Sequence, residues 1–437
     1  MHNARSRSNQ LMSLTCLQGG RVIDPVNGVN KIQDLYFEKE KIIAKPRNID
    51  SRLITTIDVS DKIIFPGLVD LRFHLKNITG GQTENILSGT QAAAAGGYSS
   101  VLLMPDISPK PDNPGTIQFI QDRILKEACV KIHLCGNLTH NGKGEQLAPL
   151  GSLQETGVIA ITDCPNTTQN NQIFSKGVEY ASMFGLLVID LPRDISLSRN
   201  GSAHDGPLAL KMGLGGYPRI AEELYVQRAI SIAQSIDTKI HLTSISSKGS
   251  VELIKSAKDK GIKISADVTA NHLCFNENCI TGFNPNFKMS PPIREEIDRL
   301  SLVDALLEGT IDCISTAHNP FQEHEKNVEY DLSPAGVISF ETNLSSCYQT
   351  LLGHKEFCWT KLIKAMSSNP SRILEIDSGN LSIDMPADIA VFDPNIEWEY
   401  GSRNGFSQAI NSPFEKHLFK GKITQTFVNG KIAFELQ

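Results

Sequence analysis

The middle of the chain alternates between two hydrophobic patterns. Short unbroken apolar runs are separated by segments in which apolar residues recur every three or four positions. Unbroken runs are typical of strands buried on both faces, and the longer recurrence is typical of helices. Eight runs have the strand pattern: 62–70, 98–104, 130–135, 157–162, 186–190, 239–243, 263–268 and 311–315. Eight buried parallel strands with helical crossovers predict an α/β fold, a (β/α)₈ TIM barrel.

Both ends of the chain have a different pattern, with short β-rich runs separated by turn residues. The runs are 21–24, 33–37, 41–43 and 55–59 at the front, and 388–392, 424–428 and 431–433 at the back. Asn27-Gly28 and Asn429-Gly430 are turn pairs typical of tight hairpins. We therefore expect a small β-sandwich domain built from residues 13–62 plus 376–437, with the barrel over 63–375.

Composition narrows the class of protein. The 437 residues are 40% hydrophobic and 21% charged, and 42 basic against 48 acidic side chains give a net charge of −6. Such a balance, without runs of like charge, argues against a nucleic-acid partner. No apolar stretch is long enough to span a membrane, and the polar first ten residues predict no secretion signal. The nine cysteines are odd in number and contain no C-x-x-C pair, which indicates a reduced, cytoplasmic protein.

Residues at the predicted strand ends resemble a known family. The segment 65–76, Phe-Pro-Gly-Leu-Val-Asp-Leu-Arg-Phe-His-Leu-Lys, resembles the P-G-x-[IV]-D-x-H-x-H-x-R signature of the amidohydrolase superfamily. Further ordered matches to the cyclic amidohydrolases that include dihydroorotase lie at 104–109, 160–165, 213–222, 240–242, 267–273, 291–294 and 310–320. The resemblance covers nearly the whole chain and implies a zinc-dependent ring amide hydrolase.

The chain departs from that family at its metal ligands. By the resemblance, zinc is held by two His after strand one, an acidic or modified residue after strand four, a His after each of strands five and six, and an Asp after strand eight that is also the general base. Three of these positions keep a candidate ligand: His74, Asp163 and His241. Three have lost it: Arg72, Leu191 and Ala317.

Charge argues against zinc at this remnant. A guanidinium about 4 Å from a divalent cation, at an effective dielectric constant of about 20, costs about 8 kcal/mol in repulsion. We therefore expect Arg72 to stand where the metal stood, paired with Asp163, and we expect no cofactor. Each taken by itself, His74 and His241 are expected to be buried histidines held by hydrogen bonds rather than metal ligands.

The remaining catalytic and substrate-binding positions are also altered. Ala317 cannot take a proton from water, so no catalytic residue is expected there. The arginine that the family uses as a carboxylate clamp is Lys76, and its asparagine partners are Asp106 and Ser290. His318 is expected to be structural, and His204 is expected to lie in a loop.

These departures predict a catalytically inactive dihydroorotase homologue. The pattern resembles non-catalytic dihydroorotase-like subunits that assemble with aspartate carbamoyltransferase, which implies that partner, an oligomer and a role in de novo pyrimidine biosynthesis. One alternative is a divergent but active zinc-dependent dihydroorotase or related cyclic amidohydrolase, using His74, Asp163 and His241. A third reading is a ligand-sensing barrel in which Arg72 and Lys76 anchor an anion.

Overall fold

A computed structural model describes residues 14–46, 53–79, 83–199 and 201–437. The polar N-terminal tail lies outside these ranges. The barrel strands are β8 (Leu68–Phe73), β9 (Tyr98–Leu103), β10 (Lys131–Asn137), β11 (Val158–Thr162), β12 (Leu187–Asp190), β15 (Ile240–Leu242), β16 (Ile264–Thr269) and β17 (Cys313–Ser315). All neighbouring pairs are parallel, in the order β17-β16-β15-β12-β11-β10-β9-β8. The predicted barrel is confirmed.

Contacts between the first and the last barrel strands bring the barrel close to closure. Phe73 and His318 form an isolated parallel bridge, and the His74 amide donates to the His318 carbonyl at 2.9 Å. Asp70, in β8, accepts hydrogen bonds from the amide and the hydroxyl of Thr316 at 2.7 and 2.8 Å. The residues that follow these two strands are therefore held side by side.

Helices surround the strands and cover the ends of the barrel. In the described ranges they are α1 (Ile86–Ala95), α2 (Pro114–Glu127), α3 (Leu150–Glu155), α4 (Asn171–Ser182), α5 (Ile195–Ser198), α6 (Pro207–Met212), α7 (Ile220–Ile236), α8 (Lys248–Asp259), α9 (Ala270–Cys274), α10 (Glu296–Glu308), α11 (Glu323–Lys326), α12 (Phe340–Leu351), α13 (Trp359–Ile363) and α14 (Asn369–Leu374). A short strand pair, β13 (Ala203–His204) and β14 (Gly216–Tyr217), lies between α5 and α7. None of the described helices is both long and apolar enough to cross a membrane.

Strands from both ends of the chain form two further sheets. One has the order β5-β4-β1-β6, and the other the order β20-β19-β18-β7-β2-β3. Their strands are β1 (Leu14–Gln18), β2 (Arg21–Asp24), β3 (Val29–Ile32), β4 (Leu35–Glu38), β5 (Lys41–Ile43), β6 (Ile54–Asp58), β7 (Ile63–Pro66), β18 (Ile389–Glu399), β19 (Leu418–Val428) and β20 (Lys431–Glu435). Leu17, Phe37, Ile64, Ile389 and Phe427 belong to one buried cluster between them. The terminal β layer that the sequence predicts is therefore present.

The first predicted barrel strand, 62–70, is wrong in one respect, because it is two strands in two different sheets. β7 pairs with β18 in the terminal sheet, whereas β8 pairs with β9 in the barrel. Gly67 separates them, and a Cβ there would lie 2.3 Å from the Ser99 hydroxyl oxygen. The terminal sheet thus continues to Pro66, beyond the boundary expected at residue 62.

Candidate functional site

A cavity of about 60 Å³ opens at the carboxyl ends of the barrel strands. In TIM barrels this end carries the chemistry. Of the residues predicted from the sequence, the walls of the cavity include Arg72, His74, Leu191, Ser290 and Ala317. Asp163, His241, Lys76 and Asp106 are not among the lining residues.

Arg72 is 6% exposed and binds neutral partners. Its Nε donates to His74 Nε2 at 3.1 Å, and its Nη1 donates to the Ser244 hydroxyl. Burial raises the pKa of the neighbouring Cys164 thiol to about 11, so that side chain is uncharged at neutral pH. The expected pairing of Arg72 with Asp163 is wrong, because Asp163 has other donors.

His74 is held from both sides of its ring. A guanidinium N–H can only donate, so His74 Nε2 is the acceptor, and Nδ1 carries the proton toward Asp106 Oδ1 at 2.9 Å. Burial lowers the pKa of His74, in keeping with a neutral ring, although Asp106 acts in the opposite direction. Neither ring nitrogen is left free to bind a metal.

Asp163 is bound by threonines of its own loop and of the loop that follows β10. It accepts hydrogen bonds from the Thr139 amide at 2.9 Å, the Thr139 hydroxyl at 2.7 Å and the Thr168 hydroxyl at 2.8 Å. Burial raises its pKa, although these hydrogen bonds oppose the shift. Thr139 and Thr168 thus supply the hydrogen bonds to Asp163 that were expected from Arg72.

His241 lies in β15 and is fully buried. Its Nδ1 lies 2.8 Å from the Ser265 hydroxyl oxygen, and its Nε2 lies 3.0 Å from Asp267 Oδ2. Asp267 also accepts hydrogen bonds from the Ser244 amide and the Ser315 hydroxyl. Burial pushes the pKa of Asp267 upward, but these partners outweigh it and hold the pKa below its ordinary value. The imidazole of His241 is thus part of a buried network between strands.

The positions of the lost ligands carry no replacement donor. Leu191 is 3% exposed and contributes an apolar side chain to the cavity wall. Ala317 contributes a methyl group, and its φ of +47° places a non-glycine residue in the left-handed region. Neither side chain can bind a metal or move a proton.

Taken together, these side chains do not fit a zinc ion. A catalytic zinc needs three convergent protein ligands and an open position. In the described part of the chain, one group of three metal-ligating side chains has its donor atoms within 4.8 Å of one another: His204, Glu295 and Asp298. Arg219 donates hydrogen bonds to the carboxylates of Glu295 and Asp298, so its guanidinium already supplies the positive charge in this group. His74, Asp163 and His241 form no such group.

The residues at the positions of the family's carboxylate clamp each contact a different partner. The Lys76 ammonium lies 2.9 Å from the centre of the Phe321 ring and 3.9 Å from Glu325, and burial lowers its pKa to about 8. Asp106 is occupied by His74. The Ser290 hydroxyl accepts a hydrogen bond from Arg193 at 3.4 Å. They form no common site for a carboxylate.

His318 lies beside the cavity at the centre of a buried network. Its Nε2 lies 3.1 Å from Glu84, and its Nδ1 accepts the amides of Ser339 and Phe340, where α12 begins. It also stacks on the Phe340 ring, with centroids 4.4 Å apart. These contacts join the last barrel strand to two other parts of the chain.

Sequence reasoning also missed or misplaced several residues. His204 lies in β13 rather than in a loop, because two-residue strands leave no periodic pattern. Ser244, the hydrogen-bond partner of Arg72, was not singled out, and its position directly after a barrel strand was the available signal. Asn271 and Asn319 line the cavity, and each has a buried side-chain oxygen without a hydrogen-bond partner in the described structure.

Comparison with known proteins gives the family. A Dihydro-orotase-like family model matches residues 61–250, and an Amidohydrolase family model matches residues 214–433. A protein named Dihydroorotase from Pelotomaculum thermopropionicum is 34% identical over 419 residues, covering 96% of this chain and 98% of that protein. The chain belongs to the dihydroorotase-like amidohydrolase family. A second Dihydroorotase, from Endomicrobium trichonymphae, is 35% identical and covers 95% of this chain and 98% of that protein.

Solved structures share the fold of this chain. The L-Hydantoinase (Dihydropyrimidinase) from Arthrobacter aurescens superposes with a TM-score of 0.86 at 17% identity, covering 97% of this chain and 96% of that one. The predicted family and barrel are therefore confirmed. The names of the relatives favour a working dihydroorotase over an inactive homologue, whereas the side chains of this cavity depart from a zinc site. The inactive subtype remains a prediction.

Proposed function

We propose that this chain is a dihydroorotase homologue that does not hydrolyse ring amides and acts as an assembly subunit of aspartate carbamoyltransferase in pyrimidine biosynthesis. The hydrogen bond from Arg72 Nε to His74 Nε2 supports the loss of hydrolysis most directly. It uses the metal-binding lone pair of the surviving histidine and brings a fixed positive charge beside it. A divalent cation at that position would face the full repulsion of the guanidinium.

Catalysis would lack a base as well as a metal. Zinc-dependent hydrolysis needs a metal to activate water and a side chain that moves the proton. The family's base position is Ala317, and His74 is already bound on both ring nitrogens. Restoring either part alone would leave the reaction without the other.

The assembly role rests on the resemblance of the motifs to non-catalytic subunits of that kind. A lost site inside a well-packed barrel fits a protein whose surface is used, since the eight strands and their closing contacts are intact. We extend the proposal to a cytoplasmic oligomer with the transferase, in keeping with cysteines that form no disulfide among themselves.

A second candidate is a working zinc-dependent dihydroorotase. It is favoured by relatives of that name that are 34 and 35% identical over nearly the whole chain. For zinc to bind at His74, Asp163 and His241, Arg72 would have to leave His74, and Asp267 would have to release His241. The two candidates therefore predict opposite results in one assay.

That assay follows the interconversion of dihydroorotate and carbamoyl-aspartate with the purified chain, with and without added zinc. The proposal predicts no turnover above buffer in either case. Zinc-stimulated turnover that disappears in His74→Gln would establish the second candidate.

Copurification tests the partner. The chain is expressed with the aspartate carbamoyltransferase of the same organism, and the two are separated by size. The proposal predicts one larger complex and lower transferase activity without the chain. Separate migration with a fully active transferase would refute the assembly role.

A further inference from the structure

We propose that the cavity at Arg72 binds a small planar oxyanion of the carboxylate type that carries an adjacent O–H or N–H donor, such as bicarbonate. The inference rests on the proposed function, since it requires Arg72 to occupy the former metal position. It places an anion in the cavity beside Arg72, whose guanidinium stands where the family would place a cation.

The free donors of Arg72 are the first argument. A guanidinium has five N–H groups, and His74 and Ser244 accept two of them; of the other three, one lies beside the weakly accepting Cys164 thiol. The remaining groups include both on Nη2 and one on Nη1, the edge that grips a carboxylate with two parallel hydrogen bonds. Arg72 lines the cavity, so an anion held there would lie against this residue.

The second argument is the missing counter-ion. Across the described ranges, no carboxylate oxygen lies within 4.0 Å of the Arg72 guanidinium, although only 6% of this residue is exposed. The nearby acids, Asp106 and Asp267, are bound to His74 and His241. Asp106 reaches the guanidinium only through His74, so an anion that enters the cavity gains a direct contact with Arg72 that no carboxylate of the described chain makes.

Two carboxamides supply the rest of the site. The side-chain oxygens of Asn271 and Asn319 are buried without a hydrogen-bond partner, and both residues line the cavity. A carbonyl oxygen can only accept, so it needs a ligand that donates. A plain carboxylate can accept hydrogen bonds from Arg72 but has no group to donate to the two asparagine oxygens, whereas bicarbonate also carries an O–H group.

Size and shape restrict the ligand further. A cavity of about 60 Å³ has room for about four water molecules. A planar ion with four heavy atoms, such as bicarbonate, has a similar volume. Gly336 has a φ of +130°, and a Cβ there would lie 2.7 Å from the Asn319 amide nitrogen. The Lys326 ammonium donates to the carbonyls of Pro334 and Gly336 at 2.8 and 3.2 Å, which fixes this wall against Asn319.

The test is calorimetric titration of the purified full chain at constant pH and ionic strength. The probes are bicarbonate, formate, sulfate, carbamoyl-aspartate and dihydroorotate. We expect saturable binding of bicarbonate, weaker binding of formate, which lacks the extra donor, and no binding of sulfate. Tight binding of carbamoyl-aspartate or dihydroorotate would show that the site takes the carboxylate group of a larger acid. Binding of bicarbonate alone would show that it takes the free ion.

Variants connect the binding to the named side chains. Arg72→Met should weaken bicarbonate at least about tenfold, as loss of a charge-assisted hydrogen bond does. Asn271→Leu, which leaves Arg72 in place, should weaken bicarbonate but not formate. Arg123→Met, at a surface arginine paired with Glu127 on α2, is the matched control and should change nothing.

Two results would overturn the inference: no heat with any probe in folded wild-type protein, or unchanged bicarbonate binding in both Arg72→Met and Asn271→Leu. The zinc content and turnover of the same sample are recorded beside the titration. Absent binding in a zinc-free, inactive protein refutes the anion site alone, whereas bound zinc with turnover refutes the proposed function.

Discussion

Arg72, His74 and Ala317 decide what the barrel can do. Arg72 supplies a fixed positive charge, His74 has lost both free nitrogens to hydrogen bonds, and Ala317 offers only a methyl group. The substitutions at Arg72 and Ala317 were visible in the sequence by comparison with the family motifs. The partners were not visible, because serine and threonine hydroxyls such as those of Ser244 and Thr139 carry no signal of which buried group they will bind.

Ala317→Asp tests whether the alanine at the base position would by itself explain the proposed inactivity. We expect no hydrolysis of dihydroorotate in the variant, because the carboxylate would have no metal-bound water to deprotonate. It would instead approach the guanidinium of Arg72. The measurement is the same turnover assay with zinc present, and clear activity in this single variant would contradict the account.

Asp70 predicts a specific pH dependence of stability. Burial raises its pKa to about 6, and the hydrogen bonds from Thr316 only partly offset that shift. The folded state therefore holds this proton more tightly than the unfolded state, so Asp70 favours folding most below pH 4 and loses that contribution as the pH rises through 6. A shift of about two units corresponds to about 3 kcal/mol.

The comparison uses Asp70→Asn, which cannot titrate. The free energy of unfolding in urea is measured for both proteins at intervals from pH 4 to pH 7. The difference between wild type and variant should move against wild type by about 2.4 kcal/mol across that range, because part of the contribution is already lost at pH 4. Parallel curves would show that Asp70 keeps an ordinary pKa.

Secondary-structure elements were the best-predicted level of the molecule. The eight barrel strands follow from short unbroken apolar runs, because a strand buried on both faces leaves that pattern. The split of 62–70 into β7 and β8 could not be predicted, since apolar residues continue across Gly67 into both sheets. β13 and β14 are too short to show a period.

The hairpin between β19 and β20 provides a test of turn chemistry. Asn429 and Gly430 have φ values of +48° and +71°, the combination found in a type I′ turn. A Cβ on Gly430 would lie 1.7 Å from the Lys39 carbonyl oxygen, whereas a Cβ on Gly28, at φ +64°, meets no atom within 4 Å.

Gly430→Ala should therefore destabilise the protein by about 2 to 4 kcal/mol, the sum of left-handed strain and a forced backbone shift. Gly28→Ala is the matched control and should cost about 1 kcal/mol from strain alone. Urea unfolding of both variants measures the difference. Equal losses would mean that the turns at Lys39 and Gly430 are not in contact.

His318 links elements rather than performing chemistry. It binds Glu84 before α1 and caps the start of α12. His318→Ala would leave the Glu84 carboxylate without that partner in the interior, at a cost of about 3 kcal/mol in unfolding free energy. His324→Ala, at an exposed histidine in α11, should stay within about 0.5 kcal/mol of wild type. Similar small effects in the two variants, measured by urea unfolding, would refute this linking role.

The whole molecule keeps the fold of an enzyme family with a rearranged centre. Its near-closed barrel and terminal sheets match the hydantoinase fold over nearly the full chain. Family membership and barrel could be predicted because many separated motifs agree in order. The interior of the site could be predicted only as a set of departures from the family, since the contacts that Arg72 makes involve residues far apart in sequence, such as Ser244.

The central claim is that Arg72 has replaced the metal, and zinc content tests it most directly. The chain is produced in zinc-supplemented medium, purified without chelators and analysed by mass spectrometry for bound metal, with Arg72→His as the comparison. The account predicts far less than one zinc per chain in the wild type. One or more zinc ions per wild-type chain, lost in His74→Gln while the fold persists, would contradict it.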